Sequence, residues 1–152
     1  PMPPFVLLGL VGPAIALHNS ETLHRELGDR FYVSPNLQKM VAMKKPGYYV
    51  WDDGTPKPDP ELLAAQVAPE NPVELTAEEV RERILSVIAE EVRTMLDEGV
   101  AQEAKDIDLA LITGAGFQFW NGGVTPLLDR EGVSEKVNGA RFHAPGVASV
   151  PA

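Results

Sequence analysis

The stretch DIDLALITGAGFQFWNGGVTPLLDREG, residues 106–132, sets Gly114, Gly116, Gly122 and Gly123 among aromatic rings. Glycines at that density can cradle a dinucleotide pyrophosphate, whose oxygens need close backbone N–H groups at a helix start. Such a loop requires a strand before the first glycine, the spacing G-x-G-x-x-G, a helix after it and an acid about 20 residues on. Here Gly114-Ala115-Gly116 follows a helical pattern, and Phe119 stands where the third glycine must admit close packing. These glycines are expected to end a helix and turn the chain under packed aromatics, without touching phosphate. The sequence holds no Gly-Lys-Ser/Thr and no G-x-S-x-G, which excludes a P-loop and a hydrolase nucleophile elbow.

The remaining chemistry-bearing residues are sparse. His18 and His24 are six apart, so about 600° of helix rotation puts them on different faces. Glu21-x-x-His24 has the spacing of half a di-iron carboxylate site, but no second copy exists to complete it. His143 lies in an irregular segment beside Pro145 and has no evident partner. The acid pairs Glu78-Glu79, Glu90-Glu91 and Asp97-Glu98 diverge by about 100° on a helix, so neither member of a pair converges with the other on a substrate. Tyr48, Tyr49 and Trp51 read as a packed strand more than a stacking platform. No catalytic, cofactor-binding or metal-ligating residue is assigned from the residues themselves.

Composition sets the frame for those residues. The chain has 152 residues, 44% of them hydrophobic, enough for a core in one ordinary domain or two small ones. Its lack of cysteine excludes a disulfide scaffold, a cysteine zinc site and thiol catalysis, and fits a reducing compartment such as the cytoplasm. A net charge of −9 argues against nucleic acid, which a protein grips with a basic face. Residues 52–108 hold sixteen acids against five Lys/Arg, which reads as solvated helix faces or an acidic docking surface. The apolar run Phe5–Leu17 is too short to span a bilayer and contains Pro13, so no transmembrane segment is expected. It has the look of a secretory h-region but lacks a basic flank. A start at Pro1 instead of Met suggests a piece of a longer polypeptide.

The elements follow from punctuation and period. Pro3 and Pro4 hold an extended entry into a short buried helix at 5–11, ended by Gly12-Pro13. A longer helix, 13–27, is capped by Gly28, and Ser34-Pro35 opens a third whose Leu37, Met40 and Val41 share a face. Gly47 is expected to break that helix before a short extended segment at 48–51 and an Asp-Asp-Gly turn. Residues 55–75 read as a proline-rich linker around one short helix at 60–67. Thr76-Ala-Glu-Glu79 is a capping box for a helix reaching Gly99, its core face drawn from Val80, Ile84, Val87, Ile88, Val92, Met95 and Leu96. Helices near 105–113 and 125–129 follow, with a loose tail after Gly139. Leu7-Leu8-x-x-x-Gly12 recurs as Leu127-Leu128-x-x-x-Gly132, a faint internal repeat.

Several of these pieces together resemble one family. MLDEGVAQEAKDIDLAL (95–111), GAGF (114–117), GG (122–123) and LLD (127–129) are similar, in order, to a helical unit of 3-hydroxyacyl-CoA dehydrogenases. That unit stands in tandem in the C-terminal region of the long fatty-acid oxidation alpha chains. PMPPFVLLGLVGPAIALH resembles the second half of a preceding copy, and KKPGYYVW (44–51) the segment that closes it. The resemblance spans about residues 2–135. It implies a mainly α fold of two tandem units, the first truncated: 1–54 as its second half, 55–75 as the linker, 76–139 as the second unit and 140–152 as the tail. Gly9 stands where the family has Asp, and Pro3 or Pro4 where it often has Gly.

The resemblance further implies a parent enzyme of fatty-acid β-oxidation that oxidises (3S)-3-hydroxyacyl-CoA with NAD. The family's catalytic His and Glu, its nucleotide-binding glycines and its substrate-contacting Ser lie on an upstream Rossmann domain. Its completing Asn lies on the helix that the first copy lacks. No position here matches them, so NAD is expected to be bound outside this segment. The implied role is a wall of the substrate cleft, with Pro3, Pro4 and Phe5 lining it. The implied partners are the Rossmann domain, the acyl-CoA substrate, and a thiolase subunit or a second copy. A non-catalytic acidic module docking a partner subunit is the other reading. An independent acyl-CoA-binding domain would need Lys39, Lys44 and Lys45 as its phosphate pocket.

Overall fold

The computed structural model describes residues 2–147. It is mainly helical, with eight α-helices and one two-stranded antiparallel sheet among the described residues. The chain divides into two compact units, Met2–Pro72 and a second that begins at Val73.

In the first unit, Pro3 is extended and Pro4 occupies the first turn of α1 (Pro4–Val11), where its missing N–H costs nothing. Gly12, at φ 97°, ends α1 and leads into α2 (Pro13–Leu27), which Gly28 closes. The expected burial of the first helix does not hold. α1 buries no residue, and Leu7, Leu10 and Val11 are exposed although the helix is apolar on every side. Composition made that helix apolar, but within its unit only one side is packed, with Phe5 against Tyr48 and Gly9 against Gly47.

α3 (Pro35–Ala42) starts from Ser34, whose hydroxyl accepts from the Leu37 N–H, and it buries Met40 completely. It ends before Gly47, at Lys44 in the left-handed region (φ 56°), with the Lys45 N–H returning to the Met40 carbonyl. Gly47 serves close contact instead: a Cβ there would sit 3.1 Å from the Gly9 Cα. β1 (Tyr49–Asp52) and β2 (Thr55–Pro58) pair across Asp53-Gly54, both at positive φ as a tight hairpin turn requires.

The hairpin crosses the boundary expected at residue 54, so the proline-rich stretch is no free linker. Pro56 and Pro58 alternate with Thr55 and Lys57, which leaves the donors of Thr55 and Lys57 for β1. α4 (Pro60–Ala64) follows and ends three residues sooner than expected. Beyond it the Asn36 side chain accepts from the Val67 N–H at 2.6 Å and holds the segment back on α3.

The second unit is organised by α5 (Ala77–Asp97). Its capping box forms as expected, with Glu79 accepting from the Thr76 N–H at 2.7 Å. At 21 residues it is about 32 Å long. Its core face carries Leu85, Ala89 and Val92, packed on Ile107, Val124, Leu128 and Val133. Val80, Ile84 and Val87, expected in that face, form a separate exposed stripe. At 100° per residue that stripe lies roughly 150° around the helix from Leu85 and Ala89.

α6 (Ala104–Ala115) passes through Gly114 and stops at Gly116, which is left-handed (φ 68°), while Phe117 packs on the core. After a 3-10 turn at Phe119–Asn121 come α7 (Val124–Arg130) and α8 (Val133–Asn138), joined through Gly132 at φ 72°. The segment carries the same spacing as that of α1 and α2, 120 residues on: two leucines, three residues, then a positive-φ glycine, although Gly132 is left-handed (ψ 6°) and Gly12 is not (ψ 127°).

Candidate functional site

The GAG element forms the end of α6, with the Phe117 N–H donating back to the Leu111 carbonyl. No helix starts there, so its amides do not converge as a phosphate nest would require. The polar centre of the second unit lies beside it. Asp108, on the inward face of α6, accepts from the Thr125 N–H (2.8 Å) and the Thr125 hydroxyl (2.5 Å). It thereby caps the start of α7 from another helix. The hydroxyl proton is committed to Asp108, so the Thr125 oxygen accepts from His143 Nε2–H at 2.7 Å. The same ring nitrogen stands 3.6 Å from the Asp108 carboxylate.

Gly123 makes the approach possible. At φ 123° a Cβ would lie 2.4 Å from the Asp108 carboxyl carbon. No side chain fits in that space.

A second buried carboxylate completes the arrangement. Asp129, on α7, accepts from the Ser134 hydroxyl and from the N–H groups of Phe142 (2.9 Å) and His143 (2.9 Å). The segment after Gly139, expected to be loose, is thus held at 142–143. His143, expected to lack a partner, has two. The rest of the expected tail, 148–152, lies outside the described residues. Sequence reasoning missed Asp108, Thr125, Asp129 and Ser134 as a set, because their partners lie 5 to 18 residues away. The signal was an acid within an otherwise apolar helical run, as in Ile107-Asp108-Leu109.

Asp–Thr–His is a proton-relay composition, yet its geometry is that of a joint. Thr125 and Ser134 are fully buried, and Asp129 is 1% exposed, so no substrate atom can reach either hydroxyl. Asp108 and His143 do border an open cleft of about 770 Å³, with Arg93, Lys105 and Phe142 along its wall. Arg93 pairs with Asp97 at 2.7 Å, and Lys105 with Glu103 at 2.5 Å. The cleft's cations are therefore neutralised within the chain.

In the first unit, Phe5 lies against Tyr48 with ring centroids 4.7 Å apart. It borders two small apolar grooves of about 270 and 250 Å³, shared with Tyr48 and Tyr49. Pro3 and Pro4, expected beside it as lining residues, are exposed at the helix entry and line neither groove.

The basic cluster is also spoken for at one member. Lys45 reaches Asp59 at 2.9 Å and Glu61 at 2.5 Å, and these carboxylates, Glu61 first, hold its pKa above the ordinary lysine value. Lys45 in turn, helped by the Leu62 N–H, holds Asp59 below the ordinary carboxylate value. Asp59 also caps α4. Of the histidines singled out for metal, His24 meets the Phe31 carbonyl at 2.8 Å through Nδ1. Among the described residues no three His, Asp or Glu side chains are grouped to hold a metal ion, and no helix is long and apolar enough to cross a membrane.

The sequence matches no known family model, and no curated protein sequence matches it.

Proposed function

We propose that the chain is the C-terminal helical part of an NAD-dependent (3S)-3-hydroxyacyl-CoA dehydrogenase of fatty-acid β-oxidation. It forms a wall of the acyl-CoA cleft and a packing surface, and supplies no reacting group. Its two units are tandem copies of one helical design, the first truncated, and the parent enzyme works in the cytoplasm. NAD is held by the parent's Rossmann domain, against which this part packs.

One observation carries the reading. The residues on which the resemblance rests act on one another in space: Asp108 of IDLAL caps the helix that starts after GG, and Gly123 makes room for it. Asp129 of LLD fastens the segment behind them. Their mutual dependence supports a common structural corner, while the activity comes from the resemblance alone.

The test has two parts. The chain alone is expected to leave 3-hydroxybutyryl-CoA and NAD unreacted. It is also expected to co-elute with a separately produced nucleotide-binding domain of such a dehydrogenase. Turnover by the chain alone, or no association with that domain, counts against the proposal.

A further inference from the structure

Three dipeptides in the chain put an acid or amide side chain directly before a glycine: Asp53-Gly54, Asn121-Gly122 and Asn138-Gly139. At such a pair the glycine nitrogen can attack the side-chain Cγ of the residue before it, because no Cβ obstructs the approach. The fold treats the three pairs unequally.

Both of these asparagines are tied down. The Asn121 side-chain amide donates to Gln118 Oε1 at 3.0 Å, and the Gly122 N–H donates to the Phe119 carbonyl at 2.9 Å. The Asn138 amide donates to the Ala89 carbonyl at 3.2 Å, and the Gly139 N–H to the Glu135 carbonyl at 2.9 Å. Ring closure at either place must break two hydrogen bonds and turn a peptide at a helix end. At the hairpin tip none of this holds. Asp53 and Gly54 are exposed, and among the described residues neither the Asp53 carboxyl nor the Gly54 N–H has a hydrogen-bond partner. Asp53 also sits at φ 47°, a region that an L-residue disfavours.

We propose that Asp53-Gly54 is a site of spontaneous backbone isomerisation in the folded protein, and that the fold shields the two Asn-Gly pairs from the same chemistry. The proposal goes beyond the dehydrogenase reading and does not rest on it. In its carboxylic acid form Asp53 loses water. The Gly54 nitrogen bonds to Cγ, the bond from Cγ to the hydroxyl breaks, and the nitrogen's proton leaves with that hydroxyl. The cyclic imide so formed takes water back at one of its two carbonyls. Opening at Cγ restores aspartate. Opening at the backbone carbonyl leaves isoaspartate, with the main chain routed through Cβ and the free carboxylate on Cα. The cycle consumes and returns only water.

The consequence is local. A two-residue loop fixes the pairing of Asp52 with Thr55, and an extra main-chain atom in it spoils the turn on which that register depends. The ion pair of Lys57 with Asp52, at 2.5 Å beside the tip, is loosened with it. The far end is held separately by the Asp59 N–H on the Tyr48 carbonyl at 2.8 Å, so the hairpin opens from its tip.

The test holds the full chain folded at neutral pH for weeks, beside the same chain in guanidinium chloride. Isoaspartate is counted by methyl transfer from S-adenosylmethionine with an isoaspartyl methyltransferase, and located by fragmentation mass spectrometry. In the folded chain it is expected at 53 ahead of any conversion at 121 or 138. In the denatured chain Asn121 and Asn138, which lose ammonia, are expected to convert first. Asp53→Asn makes the comparison direct, since Asn-Gly suits the same turn and all three sites then lose ammonia. Folded, position 53 of that variant is expected to convert at least about tenfold faster than 121 or 138, because each of those must give up two hydrogen bonds. Denatured, the three rates are expected to converge. A folded variant in which 121 or 138 keeps pace with 53 overturns the shielding. A folded wild-type chain that gains no isoaspartate at 53 overturns the site.

Discussion

α1–Gly12–α2 and α7–Gly132–α8 share a leucine–glycine spacing and fasten the returning chain differently. In the second unit the chain comes back at 142–143, and the Asp129 carboxylate grips it through two backbone N–H groups. In the first, the residue at the same place is Gly9, and the chain at 46–47 lies against it by close backbone approach, Gly47 on Gly9. One unit uses a buried carboxylate that accepts three hydrogen bonds, the other uses the absence of two side chains. A satisfied buried carboxylate gives direction and is costly to disturb, because whatever remains is left unpaired. A glycine contact is non-directional and fails only in proportion to the atoms added.

Substitutions sharpen that contrast. Gly123→Ala is expected to do the most damage, since its Cβ overlaps Asp108 and its φ is unfavourable. A loss of about 3 kcal/mol or more from the second unit is expected by chemical denaturation. Asp129→Asn replaces an acceptor of three hydrogen bonds by a group that also donates. A cost of about 2–3 kcal/mol is expected, with faster amide exchange at Phe142 and His143. Gly47→Ala meets the Gly9 backbone at 3.1 Å and is expected to cost the first unit about 1 kcal/mol, measured the same way. Equal effects of Asp129→Asn and Gly47→Ala would erase the distinction.

The smallest effect is one of pH and belongs to the first unit. Asp59 has its folded pKa lowered, so its contribution is present above the ordinary carboxylate range and is lost as pH falls through the folded value. Lys45 has its pKa raised, so its contribution is present below the ordinary lysine value and is lost as pH climbs past it. The first unit is expected to be most stable between those limits. Asp59→Asn is expected to flatten the acid side of its stability profile, and an unchanged acid side would remove Asp59 from the account.

Much of the fold was legible because it is written locally. The Thr76–Glu79 box, Gly28 and Ser34-Pro35 declare their helix ends within three or four residues, and the structure honours each. What stayed hidden depends on neighbours. Periodicity placed Val80, Ile84 and Leu96 on one helix but could not say which apolar side faced a partner, since α5 has two. Prolines at 56 and 58 read as a linker because the period-two rule that admits them appears only once a partner strand fixes the register. The polar corner was the least legible. Asp108 and His143 are 35 positions apart, and they meet only because the chain turns after α6, α7 and α8 and Asp129 holds the returning segment.

Those same prolines have a consequence for the molecule among its neighbours. Alternation turns the ring nitrogens of Pro56 and Pro58 to the outer edge of β2, which therefore offers carbonyl oxygens and no donor. An incoming extended peptide would find half of its ladder missing. The hairpin can exist as a sheet of two strands without seeding a third, and cross-β growth from that edge is stopped by covalent structure.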